Sequence, residues 1–176
     1  MNEKKIPVGE LKNKISELLK ILQMDQERKP LKLPIWMGNL FYVRLFIESQ
    51  KRESLQQYFP YAGFPMEWTR GEEVMEPRQR VWQLEYQVQY CSSIVEEGHF
   101  MEGAKTCEDS LWAEELCKFT DWIADQADWE QGMPGGFGMA IEEMIRQIYD
   151  MGNSGLFLMP EPILRLLMGL SEEKKG

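Results

Sequence analysis

The stretch from Thr106 to Glu130, TCEDSLWAEELCKFTDWIADQADWE, constrains the fold more than any other part of this chain. Turning 100° per residue, Leu111, Trp112, Leu116, Phe119, Trp122 and Ile123 gather on one side, while Glu114, Asp121, Asp125 and Asp128 gather on the other. Such a segment is stable as a helix with one face laid on a core and the other in water. Thr106 can accept from the third helical amide as an N-cap, and Glu108 and Asp109 suit the positive end of the helix dipole. Gly132 and Pro134 then stop the helix.

The neighbouring segments repeat at the same period. Val8, Leu11, Ile15, Leu18 and Leu22 advance in steps of three and four, the seam of a helix from about Gly9 to Gln26. Two heptads suit packing in a bundle rather than a free-standing coiled coil. Glu27 to Pro34 carries two prolines and reads as a linker. Ile35 to Phe59 reads as a second helix whose first half is apolar almost all round, which predicts a central, buried position. The Phe, Tyr, Val and Ile content of Leu40 to Ile47 also suits a strand.

Pro60 to Glu76 shows no clear period and holds Tyr61, Phe64 and Trp68, so it is either an exposed recognition loop or a loop folded back onto the core. Pro77 opens a third helix along the seam Val81, Leu84, Val88, Cys91 and Val95, which Gly98 closes. After the acidic helix come a glycine-rich turn at Gly132 to Gly138 and a fifth helix with Ile141, Met144, Ile145 and Ile148 on one face. A turn at Gly152 to Gly155, a short helix from about Glu161 to Leu170 and a flexible tail at 171–176 complete the chain. These elements predict an all-α fold, one single-domain bundle of five to six mostly antiparallel helices over 1–176, in which the helix at 8–26 can fold semi-independently.

A chain of 176 residues buries enough surface to need neither disulfides nor metal for its core. Cys91, Cys107 and Cys117 are odd in number and match no zinc-knuckle spacing, so reduced thiols are expected. The first residues, MNEKKIPVGELKNK, lack an apolar signal region, and no run is long and apolar enough to span a bilayer. A cytoplasmic protein without membrane contact is the expectation. The net charge of −9 is unevenly spread: residues 93–150 hold fourteen acidic side chains against three basic ones. Phosphate contact needs a cationic surface, so direct nucleic-acid binding by this body is disfavoured and a basic partner is favoured.

Catalytic patterns are sparse. His99 is the only histidine. Glu96 and His99 form one E-x-x-H pair, whereas a di-iron bundle needs two. No nucleophile elbow surrounds Cys91, Ser92, Ser93 or Cys107, and the glycine-rich turn lacks the GK[ST] of a phosphate loop. Glu72, Glu73 and Glu76 spell E-E-x-x-E, which resembles the first half of the magnesium motif of the all-α nucleoside-triphosphate pyrophosphohydrolases. The second half, E-x-x-D, is absent, because no Asp has a Glu three residues before it.

These features predict a non-catalytic interaction protein without cofactor or metal, an acidic helical binder or inhibitor docking on a basic surface of a partner, one that otherwise holds nucleic acid among the options. Glu114, Asp121, Asp125 and Asp128 form the candidate docking row, with Trp129, Tyr61, Phe64 and Trp68 as aromatic anchors. Two alternatives stand beside it: an assembly subunit whose seams at 8–22 and 81–95 join copies into a homo-oligomer, and a metal-dependent hydrolase using carboxylates alone.

Overall fold

A computed structural model describes residues 6–22, 32–56, 66–94, 110–129 and 135–150, the side chains of 110 and 111 excepted. Among these residues the regular elements are six helices: α1 (Val8–Ile21), α2 (Lys32–Ser49), α3 (Glu53–Gln56), α4 (Pro77–Ile94), α5 (Ser110–Gln126) and α6 (Gly136–Asp150). The fold is an all-α bundle. The expected turn at 152–155, last helix at 161–170 and tail at 171–176 lie outside the described residues.

α2 is the axis of the bundle. From Leu33 to Ser49 every side chain but Arg44 is buried, as an all-round apolar helix requires. α4, α5 and α6 all pack on it. Phe41 joins these layers, stacked on Phe137 of α6 at 4.4 Å between ring centroids and near Phe119 of α5 at 6.5 Å. Trp36 meets the edge of Trp112 at 5.4 Å. Leu40 to Ile47 is helical throughout, so the strand alternative is set aside; three packing partners cover the segment on every side, and only a helix keeps its own backbone bonded there.

Three of the boundaries that differ from the expectation have a local reason. Pro34 belongs to the first turn of α2 rather than to a linker, since a first-turn residue has no intrahelical acceptor for an N–H and loses nothing by being proline. α2 also ends at Ser49, well before Phe59. There the Ser49 hydroxyl donates to the carbonyl oxygen of Phe46 (2.6 Å), a local bond that competes with helix continuation. Arg52 donates back to the buried Glu48 (2.8 Å), which also pairs with Arg44 (3.2 Å). α6 likewise starts earlier than expected, inside the glycine-rich segment. A Cβ on Gly136 would stand 2.9 Å from Ile6 Cδ1 and 3.1 Å from Ile123 Cγ2, so a bare backbone lets α6 enter beside both.

Most described side chains of the heptad seams are buried inside the molecule. Leu11, Ile15, Leu18 and Leu22 are buried, and so are Leu84, Val88 and Cys91. Val8 is 56% exposed, and Val95 lies outside the described residues. The buried members of these seams are packed in the chain's own core, while Val81 is half-buried. α1 packs on α6, where Gln147 donates to the Lys12 carbonyl (3.0 Å) and accepts from the Ser16 hydroxyl (2.9 Å).

Candidate functional site

The segment from Met66 to Glu76 has no regular structure, and its polar backbone must therefore find side-chain partners. α4 supplies most of them. Arg80, fully buried, donates from Nη1 to the carbonyl of Thr69 (3.0 Å) and from Nη2 to those of Arg70 (2.9 Å) and Glu73 (3.3 Å). Gln83 donates to the Thr69 hydroxyl (2.6 Å) and Gln87 to the Glu67 carbonyl (2.8 Å). From α2's end, Gln50 accepts from the Met66 amide (3.2 Å). The segment is thus a strap bound across the bundle, and Met66 and Trp68 pack against the core.

α5 supplies the second anchor, and here the expected row of carboxylates is corrected. Asp121 is 3% exposed; its Oδ1 accepts from the Trp68 indole (2.6 Å) and its Oδ2 from the Gly71 amide (2.8 Å). Asp125 is exposed but chelated by Arg70 through two hydrogen bonds of 2.9 and 2.6 Å. The Arg70 guanidinium holds the Asp125 carboxyl below the usual carboxylate range, and Asp125 in turn raises the pKa of Arg70. Glu114 and Asp128 are half-buried. The helical period places Glu114, Asp121 and Asp125 on one side of α5, part of which the strap occupies, whereas Asp128 lies past the end of the helix at Gln126.

The aromatic anchors are corrected similarly. Trp129 is buried, its indole donating to the Ala124 carbonyl (3.1 Å). Trp68 is half-buried on Asp121, with the Arg44 guanidinium 5.6 Å from its ring centre. Burial lowers the pKa of Arg44. Tyr61 and Phe64 lie outside the described residues. Of the two readings of the 60–76 loop, the described part follows the one that folds back.

The surface that sequence reasoning passed over is the outer side of α4. Trp82 is 68% exposed and Tyr86 55% exposed, and Tyr90 is half-buried. Their rings form a ladder with centroid spacings of 5.8 and 6.3 Å and interplanar angles of 19° and 14°. Four residues of helix rise about 6 Å, so the spacing repeats the helix's own. At 100° per residue this stripe points directly away from the seam of Leu84, Val88 and Cys91. The signal was present as Trp or Tyr at every fourth residue, on the face opposite the seam. Glu72, Glu73 and Glu76 are exposed where the strap enters α4, and Glu85 is exposed beside Tyr86. Arg78 is the one exposed cation on α4.

A groove of about 330 Å³ lies between α1 and α5, floored by Leu18, Ile21, Phe119 and Trp122 and rimmed by Lys14, Glu17 and the Arg70–Asp125 pair. Its charges are mixed in sign. Among the described residues no group of three or more His, Cys, Asp or Glu is placed to hold a metal ion. No helix among the described residues is long and apolar enough to cross a membrane. No protein-family model, curated protein or solved structure matches this chain.

Proposed function

We propose that this protein is a non-catalytic interaction protein that docks on a basic surface of another macromolecule, using the outer face of α4 in place of the α5 row. One observation carries the reading: Trp82 and Tyr86, two large rings on one stripe, are exposed to water rather than packed. Large exposed aromatics are enriched at protein interfaces, where they bury much area at little entropic cost. The net charge of −9 and the exposed Glu85 on α4 support a basic partner, since opposite potentials steer encounter and suppress wrong partners. Nothing in this role requires the carboxylates of α5, which the strap already uses.

The test is a comparison of variants. The intact chain is immobilised, exposed to host extract and eluted along a salt gradient, beside the double variant Trp82→Ala/Tyr86→Ala. The expected result is a discrete set of basic proteins that elute with salt and are missing from the variant. Retention of the same proteins by both chains, or elution indifferent to salt, refutes the reading.

A further inference from the structure

We infer that α4 and α5 form a docking seat for an extended protein segment with the pattern of Trp68 to Gly71, and that the strap Met66–Glu76 fills it as a built-in, displaceable ligand. This seat is distinct from the exposed ladder of Trp82 and Tyr86, and its test is independent of the role proposed for that face.

The register of the strap points to a recognition site. Along α4, Gln87, Gln83 and Arg80 fall on one face in steps of four and three, and they meet Glu67, Thr69 and Arg70 in reverse order. Seven residues of helix rise about 10 Å, the length that three residues of extended chain cover. The carbonyls of Glu67 and Thr69, two residues apart, both accept from this helix, which the alternation of an extended backbone allows. α5 flanks the strap and binds what α4 leaves. Asp121 accepts from the Trp68 indole and the Gly71 amide, and Asp125 clasps Arg70. Lys118 stands so close to Gly71 that no Cβ fits there, and Gln83 takes the Thr69 hydroxyl. Main-chain bonds thus hold the segment while four consecutive positions are each tested, the division of labour of a peptide-binding site.

The hold is mainly polar, which makes it exchangeable. Of the strap's apolar side chains, Met66 and Trp68 pack on the core and are half-buried, while Val74 stands wholly in water. A segment with few buried apolar contacts opens locally, well before the bundle unfolds. Beneath the strap, Arg80 and Asp121 are shut away from water without pairing with each other. Arg80 is bonded to carbonyl and amide oxygens alone, and its Nε has no acceptor among the described residues. Burying charge is costly, so returning both groups to water offsets part of what is lost when the strap lifts. The outermost clasp, Arg70 on Asp125, already stands in water, where a competing arginine can reach it without the bundle opening first.

The probe is a fluorescent peptide with the sequence of residues 66–76, added to the full chain as wild type and as Gly71→Ala, in which the tethered strap no longer fits. A tethered segment competes at a millimolar effective concentration, so the peptide should bind the Gly71→Ala chain about a hundredfold more tightly than wild type. The same peptide carrying Gly71→Ala should not bind, and peptides carrying Trp68→Ala or Arg70→Ala should bind more weakly. Adding Arg80→Ala to the Gly71→Ala chain should abolish binding. Amide exchange checks that the strap of the variant is lifted while α2 and α6 stay protected. Equal binding by both chains, binding that survives Arg80→Ala, or no binding to a Gly71→Ala chain with a fast-exchanging strap overturns the inference, and none of these results bears on the outer face of α4. A strap that stays protected in Gly71→Ala overturns it as well. Dimerisation of the Gly71→Ala chain that the peptide reverses would give the seat to a second copy and also overturn it.

Discussion

At the scale of single residues, the strongest constraints sit on groups that water cannot reach. The Asp121 carboxylate only accepts hydrogen bonds, and two N–H groups converge on it, one per oxygen. Asp121→Asn keeps the shape but turns one oxygen into an NH₂ facing another N–H. The expected loss is about 1–3 kcal/mol, the cost of a buried donor left unpaired, read as a lower urea midpoint. The Arg70–Asp125 pair is of similar length but wetter. Its depressed Asp125 pKa stabilises the fold above the unfolded carboxylate value, and that contribution is lost as pH falls through the folded value. Solvent screening holds it below about 1 kcal/mol, so Arg70→Ala should move the Asp125 titration in NMR while barely shifting the melt. Cys91 works in the opposite direction, its thiol pushed up to about 12 by burial alone, from 9.0. The unfolded thiol ionises first, so stability is full below pH 9 and declines between 9 and about 12. Denaturation of wild type and Cys91→Ala across that window should show the wild type falling more steeply, by up to about 1.4 kcal/mol per pH unit.

At the scale of elements, the strap is held by Arg80 from α4 and by Asp121 from α5, and Gly71 is where it comes closest. A Cβ on Gly71 would stand 2.7 Å from the backbone nitrogen of Lys118 and 3.1 Å from its Cα, and a helix backbone cannot yield as a side-chain tip can. Gly71→Ala should therefore lift the strap, break the bond to Asp121 and speed amide exchange over 66–76, while α2 and α6 stay protected. Exchange that is unchanged over the strap would contradict this account. Arg80→Ala should act on the same segment by removing donors from three carbonyls at once. This element also marks the limit of what the sequence could say. Repeats of three and four found α1, α4 and α5 because an amphipathic helix writes its burial into its own spacing. The strap has no period: its order comes from Arg80, Gln83 and Gln87, which lie on a different element and look like surface residues in a linear reading. Hence the carboxylate row was legible as a face, but its partial occupation was not. The Trp82, Tyr86 and Tyr90 stripe was legible by spacing, although exposure cannot be told from spacing alone.

At the scale of the whole molecule, the bundle divides its aromatic residues between two tasks. Trp36, Phe41, Phe119, Trp129 and Phe137 are buried at the contacts of α2, α5 and α6. Those rings join layers that the sequence placed separately, and α2 was readable as central because no side of it could face water. Trp82 and Tyr86 take no part in that core, and this division can be measured as a difference in stability. Phe41→Ala removes a fully buried ring between two others, and such truncations cost about 3–5 kcal/mol because the cavity cannot close. Trp82→Ala removes a larger side chain but creates no cavity, so its cost should stay within about 0.5 kcal/mol, as for other surface sites. Paired urea titrations of these two variants against the wild type measure the contrast directly. A Trp82→Ala loss approaching that of Phe41→Ala would mean that the ring supports the fold, and the outer face of α4 would then be structural rather than reserved for a partner. A near-neutral Trp82→Ala leaves the cost of exposing that ring without a return in folding, which is the energetic signature expected of a residue whose burial is completed on binding.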